Sequence, residues 1–364
     1  MTVKQVTNIL EELAPLNYAE DFDNVGLLIG KENTKVSGIL VTLDTLENVV
    51  DEAIAKKCNL IVSFHPIIFN GLKKITDASY VERVVTKAIK NNISIYSMHT
   101  ALDNSPEGVN AKICEILGLV NTKILIPQKK IIKKLTTYVP NDSAEKLKEA
   151  LFIAGAGTIG NYSNCSFTVD GTGSYKPEEK SNPTKGNIGE VHYEQETQIN
   201  ITYNKKVESK VLRALFDCHP YEEIAYEILT LENTNQHIGM GMIGELDKSM
   251  SEKDFLEFLK NKMDAKGIRH SELLGKKIKK VAVLGGSGAF AIDAAKRAHA
   301  DIFISADIKY HQFYEAEKKM IIADIGHYET EQFTKNLLVD YLTKKIPNFA
   351  ISLSESITNP IKYY

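Results

Sequence analysis

Residues 36–66 read VSGILVTLDTLENVVDEAIAKKCNLIVSFHP, and this stretch decides the fold that the sequence predicts. An aliphatic run at each end flanks a segment whose apolar residues recur at helical spacing. A strand, a helix and a second strand in this order favour a βαβ unit with parallel strands. The first strand leads into Asp44 and the second into His65, and Asp44 or Thr45 is available to cap the helix.

The same alternation continues on both sides of this unit. It runs through ISIYSMHTALDN (93–104) and GVNAKICEILGL (108–119), and it returns in the last third of the chain from residue 278 onward. Strands that alternate with helices are typical of a parallel sheet covered by helices. The sequence therefore predicts an α/β fold made of two similar α/β halves with mostly parallel sheets that form one domain.

The middle of the chain has a different order. From residue 131 to 231 the pattern predicts strand, helix, strand, strand, helix and strand, which is the ferredoxin-like β-α-β-β-α-β order of an α+β domain. The Gly-, Pro- and Asn-rich stretch 171–189 is its expected hairpin loop. We predict an inserted domain that the chain leaves through the glycine-rich HIGMGMIGE (237–245). The predicted boundaries are 1–127 for the first half, 128–236 for the insert and 237–364 for the second half.

Composition limits the function. The chain has 364 residues, of which 43% are hydrophobic and 25% charged, and a net charge of −3. These values indicate a globular protein without the basic field that nucleic-acid binding favours. The four cysteines are scattered, which fits free thiols in a reducing compartment. Neither a signal peptide nor an apolar run of about 18 residues is present, so we expect a cytoplasmic protein that does not contact the membrane.

Metal-binding residue types collect where the predicted strands end. Imidazole and carboxylate groups suit zinc, manganese or iron, and ligands bind outside the carboxyl ends of parallel strands. Taken alone, each histidine is more often a polar cap at a strand end, so the argument rests on the whole set. The candidates are His65, His99, Asp103, His311, His327, Glu329 and Glu331.

A glycine-rich loop offers a competing interpretation. Gly286-x-Gly288-x-x-Ala291 lies between a predicted strand and helix, and Asp307 follows about 20 residues after the first glycine. This pattern is typical of dinucleotide binding. The same loop could instead bind any phosphate at a helix N-terminus, or only form a tight turn.

Two further motifs each allow two interpretations. Asp23 in DFDNVGLLIG (21–30) could reach the site or form an Asx turn. CHPYEEIAYEI (218–228) could belong to a second ligand site, or it could be a proline-fixed turn with polar caps, which is the favoured interpretation.

The ordered motifs resemble a known family. DFDNVGLLIG, SFHPIIF, MHTALDN, VAVLGGSG, SADIKYH and DIGHYETE resemble the Nif-three-like dinuclear metal-centre family, also known as GTP cyclohydrolase type 2 homologues. The likeness covers the whole chain, and the insert resembles the PII/CutA-like domain of the family's longer members. It implies a homohexamer, a toroid of trimers, with metal ions at an internal cavity. By similarity His65, Asp103 and Glu331 hold one ion, and Glu331 bridges to a second ion held by His327.

One residue departs from the family pattern. The family has two consecutive histidines before the proline, whereas this chain has Phe64 and His65. We therefore expect one tight divalent ion, zinc first and iron or manganese otherwise, and a second site weakened by Phe64. The implied function is a metal-dependent hydrolase acting on a nucleotide-like or phosphorylated small molecule, with His311 or Glu329 as proton shuttle. The alternatives are a non-catalytic metal-holding or ligand-binding ring and a dinucleotide-binding protein.

Overall fold

The computed structural model describes residues 1–160 and 162–364. They divide into two compact units, one formed by residues 1–127 and 236–364 and the other by residues 128–235. The fold is mixed α/β with three sheets. Within the described ranges, the helices are too short and too polar to cross a membrane.

The helices and strands follow the chain in three groups. Residues before 128 form α1 Val3–Leu13, β1 Gly26–Ile29, β2 Ile39–Thr42, α2 Glu47–Ala55, β3 Leu60–Ser63, α3 Tyr80–Lys90, β4 Ser94–Ser97, α4 His99–Asp103, α5 Val109–Ile116 and β5 Val120–Gln128. The smaller unit forms β6 Ile132–Pro140, α6 Ala144–Ile153, β7 Ser166–Tyr175, β8 His192–Asn204, α7 Glu208–Cys218 and β9 Tyr226–Thr230. The remaining residues form β10 Asn235–Ser251, α8 Glu252–Lys262, β11 Arg269–His270, β12 Lys277–Ser287, α9 Ile292–Arg297, β13 Ile302–Ala306, β14 Ile321–Asp324, α10 His327–Glu331, α11 Thr334–Lys345 and β15 Ile351–Leu353.

The larger unit contains two sheets, each with at least three adjacent parallel strands. The first has the order β1-β4-β3-β2-β15, and the second has the order β11-β14-β13-β12-β10-β5. Strands β2, β3 and β4 run parallel in the first sheet, and β12, β13 and β14 run parallel in the second. Strands β1, β10 and β11 pair antiparallel with β4, β12 and β14.

The two sheets exchange strands, which corrects the expectation of two sequential halves. The C-terminal strand β15 pairs parallel with β2 in the first sheet, and β5 from the N-terminal part lies at the edge of the second. Each sheet therefore needs residues from both ends of the larger unit. The polypeptide stretch HIGMGMIGE, which was expected to be a linker, lies within strand β10, and most of its residues from Ile238 onward are buried.

One apolar core joins the sheets of the larger unit. Val62 of the first sheet and Val283 and Ile304 of the second belong to the same cluster of buried side chains. Burying such aliphatic side chains stabilises the fold by roughly 1.5–3 kcal/mol each. Because both sheets pack on this core, the carboxyl ends of their parallel strands face one region, where the candidate ligands lie.

The smaller unit has one antiparallel sheet in the order β7-β8-β6-β9. Its apolar core lies on one face, where Leu135 and Ile199 pack with Leu147 of α6 and Leu215 of α7. Side chains alternate along a strand, so Tyr138 and its cross-strand partner Gln198 lie on the other face. Strand β7 extends to residue 175, which shortens the expected loop to residues 176–191.

Two connections of the second sheet are short. After β13 the chain forms a 3₁₀ segment at Tyr310–Ala316 that ends on Glu317 in the left-handed conformation. The helix α9 after the glycine-rich loop has six residues. The cap of α2 is Leu46 rather than Asp44 or Thr45, which leaves the Asp44 carboxylate free for another role.

Candidate metal centre

His65 lies two residues beyond strand β3, and its backbone is held in place by its neighbours. Its N–H donates to the carbonyl of Leu43 at 2.9 Å, and its carbonyl accepts from the Ser63 hydroxyl. The imidazole Nδ1 lies 2.8 Å from Asp44 Oδ1. A carboxylate on Nδ1 fixes the ring and the tautomer, so that Nε2 is the atom directed to a ligand.

His327 begins helix α10 and is held in the same way. Its Nδ1 lies 2.7 Å from Asp307 Oδ2, which also accepts a hydrogen bond from the hydroxyl of Ser287. Asp307 has a φ of 55°, an uncommon conformation for a residue other than glycine. The second sheet therefore also presents the Nε2 atom of a histidine that an aspartate orients.

Glu331 joins the two imidazoles. It lies one helical turn after His327, and its Oε2 atom is 3.2 Å from Nε2 of both His65 and His327. The carboxylate also approaches the backbone of Gly286, where a Cβ atom would lie 2.3 Å from Glu331 Oε1. Glycine at 286, with a φ of 69°, is required for this approach. One ligand atom from each of His65, His327 and Glu331 lies within 4.8 Å of the others.

Asp103 is the fourth predicted ligand, at the C-terminal end of α4. Its Oδ1 atom is buried and, within the described part of the chain, has no hydrogen-bond partner. Burial and the Glu331 carboxylate raise the pKa of Asp103 well above its usual value, while the nearby charges of His65 and His327 lower it. A buried carboxylate oxygen without a donor is unfavourable by itself, and a bound cation would satisfy it.

His99 lies beside this cluster. Its Nδ1 is 2.8 Å from Asp23 Oδ1, and its ring centroid is 5.3 Å from that of His65. The Asp23 carboxylate also accepts from the backbone N–H of Asn24 and from the backbone N–H of Thr100, so it contacts the histidine and the chain that carries it. Phe64 is fully buried, and its ring centroid lies 4.8 Å from that of His65.

The charges of the cluster shift its titration. Burial lowers the pKa of each imidazole, but contact with the acids outweighs it and raises His65 to about 10 and His327 to about 9. Burial raises the pKa of Glu331, but contact with His327 and His65 lowers it to about 2. Without a metal ion these contacts favour the protonated imidazoles beside the ionised Glu331, and a metal ion would have to displace the imidazole protons.

Both predicted proton shuttles lie away from the cluster formed by His65, His327 and Glu331. Glu329 is buried, but it is about 200° around the helix from His327 and accepts from the Asn359 side-chain amide at 3.2 Å. His311 is exposed and packs edge-on against the Tyr310 ring. Neither contact directs the side chain toward Glu331.

The glycine-rich loop has little capacity left for phosphate. The N–H of Gly285 donates to the Asn110 side chain, and that of Gly286 donates to the Thr330 hydroxyl. A Cβ atom at Gly288 would lie 2.0 Å from the Ser305 hydroxyl oxygen. The loop is therefore a close-packed turn beside Glu331, and Asp307 contacts His327 rather than standing free for a ribose.

Sequence reasoning missed the three aspartates that orient the histidines. Asp44 was interpreted as a helix cap, Asp307 as a ribose-binding acid, and Asp23 was left open. Asp44 lies two residues after β2 and Asp307 one residue after β13, and these strands pair with β3 and β14, which precede His65 and His327.

The donor set fits a divalent metal ion. Two Nε2 atoms and the Glu331 carboxylate converge within 4.8 Å, and Asp103 adds a buried oxygen without a donor. Nitrogen and carboxylate ligands are those that zinc, iron and manganese take in proteins.

Comparison with known proteins gives one consistent result. Residues 1–360 match the family described as Duf34/NIF3 (NGG1p interacting factor 3). A Bacillus subtilis protein named GTP cyclohydrolase 1 type 2 homolog is 37% identical over 99% of this chain and 98% of its own length. A crystal structure described as a Bacillus cereus protein related to NIF3 has a TM-score of 0.82 and 36% identity, covering 100% of this chain and 99% of that one. A Staphylococcus aureus crystal structure has a TM-score of 0.79 and 30% identity, covering 100% of this chain and 99% of that one. The chain therefore belongs to the NIF3 family of GTP cyclohydrolase type 2 homologues.

Proposed function

We propose that this protein binds one divalent metal ion per chain and uses it to hydrolyse a nucleotide-like or phosphorylated small molecule. The observation that supports this most strongly is the position of Glu331 Oε2, which is buried and 3.2 Å from two imidazole Nε2 atoms. Each imidazole is oriented by an aspartate, which is typical of metal-binding histidines.

His65, Asp103, His327 and Glu331 would hold the ion. The mixed nitrogen and oxygen set favours zinc, with iron and manganese as alternatives. A bound divalent cation supplies Lewis-acid activation of water and of a substrate oxygen. Asp44 and Asp307 keep the Nε2 atoms directed inward, and Asp103 and Glu331 add the negative charge that makes cation binding favourable.

His99 is the group best placed to move a proton at this site. Asp23 holds its Nδ1, and its ring lies edge-on to that of His65 with the centroids 5.3 Å apart. The hydrogen bond to Asp23 leaves Nε2 available to a substrate or water. We assign this role to His99 in preference to Glu329 and His311, because those side chains contact Asn359 and Tyr310 instead.

A second ion would bind weakly in this chain. A phenylalanine ring has no ligand atom, and Phe64 is fully buried in the apolar core. A second ion would have to rely on His327, His99 and shared carboxylate oxygens. The homohexamer implied by the family likeness is part of the same proposal, and light scattering of the purified full chain tests it.

The proposal is tested by metal content. Purified full-length protein should contain close to one equivalent of zinc, iron or manganese by mass spectrometry, and Asp103→Asn should lose most of it. Glu107→Gln is a matched control, because Glu107 is exposed and close to Asp103 along the chain. Equal metal content in Asp103→Asn and the control would overturn the assignment.

Activity is tested separately with the metal-loaded chain and a panel of nucleotides and phosphate esters. Turnover that is lost in Asp103→Asn supports the hydrolase. Full metal occupancy without turnover on any substrate would instead favour the alternative of a metal-holding or ligand-binding ring.

A further inference from the structure

The smaller unit contains a cavity of about 570 Å³, which is large enough for a small organic ligand. Its floor is the face of the sheet opposite the helices, with Tyr138, Tyr175 and Glu196 among the lining residues. Its walls are the turn Tyr221–Ala225 and parts of the segment between β7 and β8. The cavity lies entirely within residues 128–235, so it is independent of the candidate metal centre.

The His-Pro motif forms one wall of this cavity. His219 is buried, its Nε2 lies 2.9 Å from the Tyr138 carbonyl, and its Nδ1 accepts from the N–H of Tyr221 at 3.2 Å. A ring nitrogen that accepts while the other donates requires a neutral imidazole, and burial lowers the pKa of His219 accordingly. His219 thus fixes the turn that follows it. This turn places Tyr221 and Glu222 at the cavity.

A carboxylate and two aromatic rings form the polar centre of the cavity. The Tyr221 hydroxyl donates to Glu196 Oε1 at 2.8 Å, and the rings of Tyr175 and Tyr221 stand edge to face with centroids 5.8 Å apart. Glu196 lies over Gly173, where a Cβ atom would be 2.1 Å from Oε2. The missing side chain at Gly173 therefore leaves room for this carboxylate.

The charged side chains among the described residues that line the cavity are acidic. Among the described residues that line the cavity there is no Lys, Arg or His, whereas Glu222 and Glu223 join Glu196. Asp170 also borders the cavity, but its carboxylate accepts from the Thr197 hydroxyl on the opposite face of the sheet. Lys185, outside the lining, forms a 2.8 Å ion pair with Glu194. Such a cavity disfavours phosphate and other anions.

We propose that this cavity binds a small organic cation, a quaternary ammonium or an aliphatic amine. Glu196 is the counter-ion, and the rings of Tyr175 and Tyr221 supply the aromatic surface that cations favour. Glu222 closes the rim, because its Oε1 atom accepts from the Asn182 N–H at 2.8 Å and joins the turn to the loop before β8. The site recognises a positive charge carried on an apolar body. Neutral and anionic molecules of the same shape lack that positive charge.

The experiment compares choline with its neutral carbon analogue 3,3-dimethyl-1-butanol by calorimetry on the full-length chain. Spermidine is a second cationic probe, and inorganic phosphate is the anionic control. Choline or spermidine should saturate at millimolar concentration or below, and the neutral analogue should bind about ten-fold more weakly or not at all.

Three variants locate the site. Glu196→Gln keeps the shape of the side chain and should weaken cation binding by about ten-fold. Gly171→Phe should abolish binding, because a Cβ atom at Gly171 meets open space and the added ring would fill the cavity. Glu179→Gln, an exposed residue outside the lining, should bind as the unmodified chain does.

Three results would overturn the proposal: no saturation with either cation, equal affinity for choline and its neutral analogue, or unchanged affinity in Glu196→Gln. If Gly171→Phe fails to fold by circular dichroism, the conservative Glu196→Gln variant still decides between these outcomes.

Discussion

Each of the two sheets of the larger unit presents a histidine that an aspartate orients, and the two pairs differ in burial. In the first sheet Asp44 holds His65, and in the second Asp307 holds His327, with nearly equal distances of 2.8 and 2.7 Å. The His65 side chain is 23% exposed and that of Asp44 30%, whereas His327 is 39% exposed and Asp307 51%. Asp44 also accepts from the Thr358 hydroxyl of the C-terminal segment at 2.7 Å.

The first sheet therefore supplies the less exposed side of the centre. A less exposed ion pair is less screened by water, so the orienting carboxylate has a stronger effect on its histidine. In the described part of the chain, Glu331 contacts both His65 and His327, whereas each aspartate contacts one of them.

Removing the shared charge should have the largest effect. Glu331→Gln keeps the size of the side chain but removes the negative charge from both Nε2 contacts, and we expect metal affinity to fall by more than about 100-fold. Calorimetric titration of metal-depleted protein with zinc measures this. Glu329→Gln on the same helix is the control, because its carboxylate contacts Asn359. A similar loss in both variants would point to damage of the helix rather than to loss of a ligand.

Replacing either orienting aspartate should lower metal affinity, but by different amounts. Loss of such a residue lowers metal affinity by about 10- to 100-fold, and we place Asp44→Asn near the upper value and Asp307→Asn near the lower one. The reason is the greater exposure of Asp307, whose contact water can replace more readily. The ratio of the two zinc dissociation constants measures the asymmetry of the centre. Equal losses of zinc affinity, or a larger loss in Asp307→Asn, would show that burial does not decide which aspartate contributes more to metal binding.

The positions of His65 and His327 could be predicted from sequence, but their partners could not. Apolar runs locate strand ends well, and parallel strands bring those ends together. Which aspartate meets which histidine depends on register, with Thr42 opposite Ser63 in the first sheet and Ser305 opposite Asp324 in the second. Register across a sheet is a tertiary property, and a helix cap or a ribose acid explained the same aspartates locally.

The exchange of strands was missed for a similar reason. Strand β15 has only three residues, and β10 contains glycines that favour a loop when read locally. Their pairing is decided by the edges of sheets formed elsewhere in the chain. The motif CHPYEEIAYEI shows the same limit, since its cavity is visible only once the face of the antiparallel sheet is known.

Phe64 offers a way to test whether the first sheet can hold a second ion. Phe64→His adds an imidazole next to His65, and we expect metal content to rise from about one ion toward two per chain. Phe64→Leu is the control for loss of the buried ring, and it should not gain metal. Mass spectrometry of both variants after dialysis against zinc measures the content. Equal occupancy in the two would refute the idea that Phe64 weakens a second site.

The smallest expected effect is the pH dependence of the metal-free protein. The folded-state pKa values of His65 and His327 lie above the ordinary value of 6.5, so their stabilisation is complete below pH 6.5 and is lost as pH rises through about 9 and 10. Glu331 acts in the opposite direction, because its stabilisation is present above its usual pKa of 4.5 and is lost as pH falls toward 2.

Between pH 6.5 and 10 the thermal midpoint of the metal-free chain should therefore fall by a few degrees. This shift corresponds to a loss of unfolding free energy on the order of 1–2 kcal/mol in a chain of this size. Zinc should reverse the sign, because the ion replaces the imidazole protons and its affinity increases with pH. Glu331→Gln should flatten the metal-free profile, since both imidazoles lose their shared partner. Thermal scans of depleted and zinc-loaded protein across this range measure both slopes. A midpoint that rises with pH in the depleted chain would show that the two histidines are neutral without metal. The protonated state inferred for His65 and His327 would then be wrong.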